Sequence, residues 1–314
     1  MFYLMDFKIV TTLLIVVVGI GVDSKAIDNS NQIIVPPAPK HQGIFSDRHA
    51  HQTIANQIKS WKDTDVQNVW EMSGLFEGDI MLDIEEEDVK NGLINTKYRW
   101  PGGVVPYHIE ESDFDEADIK VIKGAMEEYH QNTCIRFRPY NKTDIDYITI
   151  EGKNSGCWSY VGRLGKGQVV NLQNPGCVRH GTVVHELMHA IGFYHQQSAA
   201  DRDEWVTINW QNIQSGKEHN FNKYDDRTVT DYGIGYDYTS VMHYSSHAFS
   251  KNKEPTITPK KDNVEIGQRK GLSVKDLLKV VAMYKNVCKT AQVDSTDESS
   301  EDLSFTIELK GDSA

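Results

Sequence analysis

Apolar positions recur at helical spacing in three stretches of the chain. Asp115 to Gln131 carries Ile119, Ile122, Met126 and Tyr129 on one face, which predicts a helix. Thr182 to Ile191 carries Val184, Leu187, Met188 and Ile191 in the same way. A third helix is predicted from Ser273 to about Asn286, with Ser273 as its cap, Asp276 in its first turn, and Leu277, Val280, Val281 and Tyr284 apolar. Period-two or β-rich runs fall at Val104–Ile109 after a Pro-Gly-Gly turn, at Ile135–Tyr140, at Tyr147–Glu151 and at Gln168–Leu172, and these read as strands. The stretch 196–265 is rich in Asn, Asp, Tyr and Gly with little periodicity, and reads as mostly irregular. Residues 27–60 are polar, contain Pro36, Pro37 and Pro39, and read as mobile chain. Together these elements predict an α+β domain.

Charge divides the chain. Residues 27–90 hold 12 acidic and 5 basic side chains, residues 291–314 hold 7 and 1, and residues 91–290 hold 24 and 25. A near-neutral unit therefore lies between two acidic flanks, and the net charge of −12 speaks against nucleic acid as a partner. The uncharged apolar run Ile9–Val22 is shorter than the roughly 20 residues that a bilayer span needs. With Lys8 before it and the small residues Ser24 and Ala26 behind it, it reads as a secretory signal peptide over 1–26, with no stable membrane anchor.

An even number of cysteines in a secreted chain points to disulfides. Cys134, Cys157, Cys177 and Cys288 all lie in the near-neutral unit and allow three pairings. Cys157 and Cys177 bracket a Gly-rich stretch, which makes a local bridge natural; Cys134 would then meet Cys288. Asn141-Lys142-Thr143 is a glycosylation sequon.

The richest chemistry lies in His185-Glu186-Leu187-Met188-His189-Ala190-Ile191-Gly192-Phe193-Tyr194-His195. On a helix, His185 and His189 project from one face, one turn apart, and can share a tetrahedral zinc. A continuing helix would carry His195 about 15 Å along the axis from His185, out of reach of the same ion. Gly192 stands where a residue of positive φ would end the helix and turn the chain back. The spacing thus supplies two ligands, a reversal and a third ligand. Three neutral imidazoles leave the metal its double charge, enough to bring a bound water's pKa to about 7 and to polarise a carbonyl. Glu186 is suited to take a proton from that water and pass it to a leaving amine.

These residues, with Ser240-Val241-Met242-His243-Tyr244, resemble the astacin family of secreted zinc endopeptidases within the metzincins. Further similarity runs through Tyr98–Tyr107, Gly156–Arg163, Asp201-Arg202-Asp203 and Ile266-Gly267-Gln268-Arg269, so that it covers about residues 76–288. The resemblance implies a metzincin-type fold: a twisted N-terminal sheet with helices, an active-site helix and a largely irregular C-terminal subdomain. It implies one Zn²⁺ on His185, His189 and His195, with Met242 beneath it and Tyr244 able to stabilise the oxyanion. It implies pairs Cys134–Cys288 and Cys157–Cys177, and an extended substrate along an edge strand at Trp158, Ser159 and Tyr160.

Phe76-Glu77-Gly78-Asp79 is similar to the family's propeptide motif, whose aspartate ligates the zinc and blocks water. The resemblance therefore implies a propeptide over 27–90 with Asp79 as the blocking ligand, activation by another protease near Lys90–Asn91, a catalytic domain over 91–290, and an acidic tail over 291–314. Such a member is expected to act on protein or peptide substrates, without nucleic acid, as a monomer. Arg269 and Lys270 fall where relatives shape the primed subsites, which implies a preference for acidic residues just after the cut. Two positions depart from the family pattern. Gln196 stands where a Glu commonly pairs with the new N-terminal amine, and a neutral amide cannot form that ion pair. Ser198-Ala199-Ala200 stands where many relatives carry an Arg.

Overall fold

The computed structural model describes residues 48–82, 95–224 and 230–288. The signal peptide, the cut at Lys90–Asn91 and the acidic tail expected from the sequence lie outside the described residues. A helix α1 spans Arg48–Ser60. This corrects the reading of 27–60 as mobile over its last part: Ala55 and Ile58, three residues apart, are buried, and Gln173 Nε2 donates to the Ala55 carbonyl at 2.8 Å. Tertiary docking overrides a polar composition there.

Five strands build one sheet: β1 (Val104–Ile109), β2 (Arg136–Pro139), β3 (Tyr147–Glu151), β4 (Cys157–Ser159) and β5 (Gly167–Leu172), in the order β2-β1-β3-β5-β4. The first four in that order run parallel, and β4 closes the edge antiparallel to β5. Helix α2 (Glu116–Asn132) begins at a reciprocal cap, Asp115 with Asp118, and buries Ile122, Ala125, Met126 and Tyr129. It packs on α3 (His180–Ala190), and α3 packs on β4 and β5. Every residue of α3 from Gly181 to Ala190 is buried. Side chains and backbone from elsewhere hold its carbonyls: Tyr129 Oη donates to that of Val184 (2.7 Å), Gly162 N–H to that of His189 (2.9 Å), Trp100 Nε1 to that of Ala190 (2.8 Å), and Tyr284 Oη to that of Ile191 (2.8 Å).

After α3 the described chain is mostly irregular, as the lack of periodicity predicted. The exceptions are short 3₁₀ turns, the antiparallel pair β6 (Val206–Ile208) and β7 (Ile257–Pro259), and the helix α4 (Val274–Met283). Ser273 caps α4 in a reciprocal box with Asp276. Disulfides Cys134–Cys288 and Cys157–Cys177 are both closed, the first tying the end of α2 to the chain beyond α4. Among the described residues no helix is long and apolar enough to cross a membrane.

Candidate active site

Helix α3 ends where the spacing predicted. Gly192 adopts φ +118°, its N–H donates to the His189 carbonyl at 2.8 Å, and Phe193 N–H donates to that of Met188 at 3.2 Å. These two bonds are the Schellman arrangement, which satisfies the last carbonyls and reverses the chain. His195 therefore returns to the histidines of α3. The three ring centroids lie 4.8, 5.3 and 4.7 Å apart, and all three side chains are buried.

The Asp79 carboxylate sits among them. Its Oδ2 lies 3.1 Å from His185 Nε2, and its Oδ1 lies 3.4 Å from His189 Nε2 and 3.3 Å from His195 Nε2. Each imidazole directs its other nitrogen elsewhere: Nδ1 of His185 donates to the Val241 carbonyl (2.8 Å), that of His189 to Phe193 (2.7 Å), and that of His195 to Glu77 (2.8 Å). This leaves the three Nε2 lone pairs aimed at one point, as metal ligation needs. One ligand atom from each of Asp79, His185, His189 and His195 lies within 4.8 Å of all the others. Asp79 Oδ1, His189 Nε2 and His195 Nε2 are buried without a hydrogen-bond partner, an unfavourable condition that a cation would relieve. Nitrogen and carboxylate donors in a four-membered, closed set are those of zinc.

Glu186 adjoins this cluster, wholly buried, with neither carboxylate oxygen hydrogen-bonded. Burial, and then the Asp79 charge, push its carboxyl well above the usual carboxylate range. Asp79 goes the other way. Burial would raise it, but His195, His185 and His189 overcome that and hold it well below its ordinary value. Two neighbouring carboxyls are thus driven apart, one toward ionisation and one toward holding a proton.

Met242 is buried in a turn clamped by α4. The Asp276 carboxylate accepts from Ser240 Oγ (2.6 Å) and Val241 N–H (2.9 Å), while Gln196 N–H donates to the Met242 carbonyl (2.9 Å). Asp276 therefore positions Val241, the outer partner of His185. The Lys279 ammonium, one turn along α4, donates to Gln196 Oε1 beside a cavity of about 320 Å³ lined by Met188, Tyr194, Gln196, Asp231 and Lys279. Tyr244 is buried against the His195 ring, at 4.8 Å, and its hydroxyl donates to the Glu77 carbonyl at 2.7 Å.

Segment 61–82 crosses this site. Ser159 N–H on the edge strand β4 donates to the Asp79 carbonyl (3.0 Å) and Met81 N–H donates back to Ser159 (2.9 Å), so residues 79–81 run parallel to β4. Trp158, Ser159 and Tyr160 are all buried there. Trp70 stacks on His185 at 4.4 Å, and Trp61 lies against the guanidinium groups of both Arg179 and Arg269. Asn141, by contrast, is exposed after β2.

The sequence reading missed three residues that the geometry makes prominent. Glu77 was part of the quoted motif but received no role. Asp276 was read as a helix-start residue only, although it is also the clamp on the Met242 turn. Trp70 carried no signal beyond being an isolated tryptophan in a polar stretch.

Fold and site together are of the metzincin kind, with a buried donor set that could hold a metal ion. Comparison with known proteins narrows this further. The family model for the astacin peptidases matches residues 92–285, and the chain belongs to that family. It is 46% identical over 195 residues to zinc metalloproteinase nas-13 of Caenorhabditis elegans, an alignment covering 62% of this chain and 43% of that protein. It is 42% identical over 276 residues to meprin A subunit beta of Rattus norvegicus, covering 86% of this chain and 38% of that one. The chain thus matches about two fifths of the length of these relatives. Among solved structures it resembles high choriolytic enzyme 1, a hatching enzyme zinc-protease from Oryzias latipes, at a TM-score of 0.57 and 38% identity over 61% of this chain and 96% of that one.

Proposed function

We propose that the chain is the precursor of a secreted zinc endopeptidase, held latent by its own N-terminal segment. The observation that carries this reading is a carboxylate, Asp79, lying among three convergent imidazoles while its backbone occupies the edge strand. His185, His189 and His195 hold zinc, and Asp79 takes the position that a reacting water needs. The zinc supplies Lewis acidity toward a peptide carbonyl. Glu186 takes the proton of the attacking water and returns it to the leaving amine. When segment 61–82 departs, the Tyr244 hydroxyl gives up the Glu77 carbonyl and becomes free to donate to the developing oxyanion. Strand β4 at Trp158, Ser159 and Tyr160 likewise regains its open edge, and an extended polypeptide can pair there. The substrates are proteins or peptides. Arg269, released from Trp61 and from the carbonyls of Asp63 and Asp65, favours acidic residues after the cut.

Activation by a second protease near Lys90–Asn91 removes residues 27–90. Digestion of casein or gelatin by the full chain and by the chain cut at Lys90, with and without phenanthroline, tests the reading. The cut chain digests and the chelator stops it. Glu186→Gln keeps zinc and loses most turnover, and Asp79→Ala makes the uncut chain leaky. A cut chain that holds zinc and digests nothing would overturn the peptidase reading in favour of a binding protein on the same scaffold. An uncut Asp79→Ala chain that stays inert would overturn the carboxylate block alone.

A further inference from the structure

The three histidines differ in where their outer partners come from. His185 and His189 donate Nδ1–H to backbone carbonyls of Val241 and Phe193, which stay with the peptidase domain when the N-terminal segment leaves. His195 donates to a side chain of the departing segment, Glu77 Oε2, at 2.8 Å. The other oxygen of Glu77 accepts from Tyr224 Oη at 2.7 Å and Ser198 Oγ at 3.1 Å. Its backbone is held as firmly: the N–H donates to Asn220 Oδ1 at 3.1 Å and the carbonyl accepts from Tyr244 Oη. Glu77 is 1% exposed and adopts φ +47°, a left-handed conformation uncommon outside glycine. A residue that only spaced Phe76 from Gly78 would need none of these contacts. They aim one carboxylate at one imidazole nitrogen.

We infer that Glu77 is a second, indirect metal anchor of the N-terminal segment, a positioning residue that makes the uncut chain hold zinc more tightly than Asp79 alone would. A carboxylate on the far nitrogen of a ligating imidazole fixes the ring and its tautomer and raises the basicity of the ligating nitrogen. A charged acceptor does this more strongly than a backbone carbonyl. The third ligand is also the one that needs such help. His185 and His189 are set by a buried helix, whereas His195 stands on irregular chain beyond Gly192. Removal of the segment therefore takes away two zinc-holding groups, Asp79 directly and the Glu77 carboxylate through His195. Latency and metal retention are then properties of the same short run, through Glu77 and Asp79.

This inference rests on the reading that the three histidines and Asp79 hold zinc, and the experiment separates the two. Zinc affinity of the folded, uncut chain is measured by competition with a chromophoric chelator, with no activity assay involved. Glu77→Gln is expected to weaken zinc by about 10-fold or more, within the 10–100-fold range that loss of such outer partners produces. The shift is expected both in the parent and in an Asp79→Asn background. An unchanged affinity on adding Glu77→Gln to Asp79→Asn overturns the inference, because Glu77 would then act only by keeping Asp79 in place. Asp79→Asn alone with parental affinity would instead overturn Asp79 as a ligand and leave the Glu77 comparison standing. Should Glu77→Gln fail to fold, Tyr224→Phe with Ser198→Ala loosens the same carboxylate from outside. That pair is expected to weaken zinc by a smaller factor, and unchanged affinity there overturns the inference too.

Discussion

Glu71 ties the docking of the N-terminal segment to pH. The side chain is wholly buried between its own segment and the chain beyond Tyr244, where it accepts from Ser245 N–H (2.6 Å), Ser245 Oγ (2.8 Å) and Asn68 N–H (3.1 Å). Burial raises its pKa from 4.5 to about 7, against the opposing pull of Ser245, Asn68 and Arg269. The docked state therefore binds this proton more tightly than the undocked or unfolded state. The stabilisation is fully present below pH 4.5 and is lost as the pH rises through 7. A carboxyl that ionises near 7 when docked and near 4.5 when free links about 3 kcal/mol of stability to its proton. Glu71→Gln keeps the shape and removes the titration. Urea unfolding of the parent and the variant at about pH 5 and about pH 8 gives the stability gap between them. That gap should move by about 2.5 kcal/mol in favour of the variant from the lower pH to the higher. Subtracting the variant cancels the other titrating groups, so a gap that is the same at both pH values would refute the reasoning.

Three further outcomes follow from packing and pairing. A Cβ at Gly181 would lie 1.9 Å from the Arg269 carbonyl oxygen, so Gly181→Ala should lower stability by about 1–3 kcal/mol in a denaturant melt, although alanine is the better helix former. Replacing Cys134 and Cys288 by serine opens a loop of 154 residues and should cost up to about 5 kcal/mol on the chain-entropy model, seen as a fall in Tm. Because Gln196 is engaged by Lys279, an enzyme beginning one or two residues before Asn91 should keep most of its casein-digesting activity; near-total loss would count against this.

What the sequence made legible was local. The histidine pair, the helix-ending glycine and the third histidine lie within 185–195, and one turn geometry relates them. The cap at Ser273 is likewise written within a few residues, and so were the strands of the main sheet apart from β4, which only the family resemblance implied. Contacts between distant positions were not legible. Strands β6 and β7 are three residues each, pair across some fifty residues, and show no period of their own. Helix α1 reads as polar chain because only its docked face, with Ala55 and Ile58, is apolar. Glu77 meets His195 across 118 residues, and nothing around either one announces the other. Asp276 has an evident local duty as a capping residue, which conceals its hold on Ser240 and Val241.

That hold sets a timetable for biosynthesis. The imidazole of His185 leans on Val241, and Val241 leans on a carboxylate that the ribosome adds near the end of the described chain. The carbonyl that His185 leans on lacks this clamp until Asp276 has emerged, and by then residues 61–82, which lie across the three histidines, were translated long before.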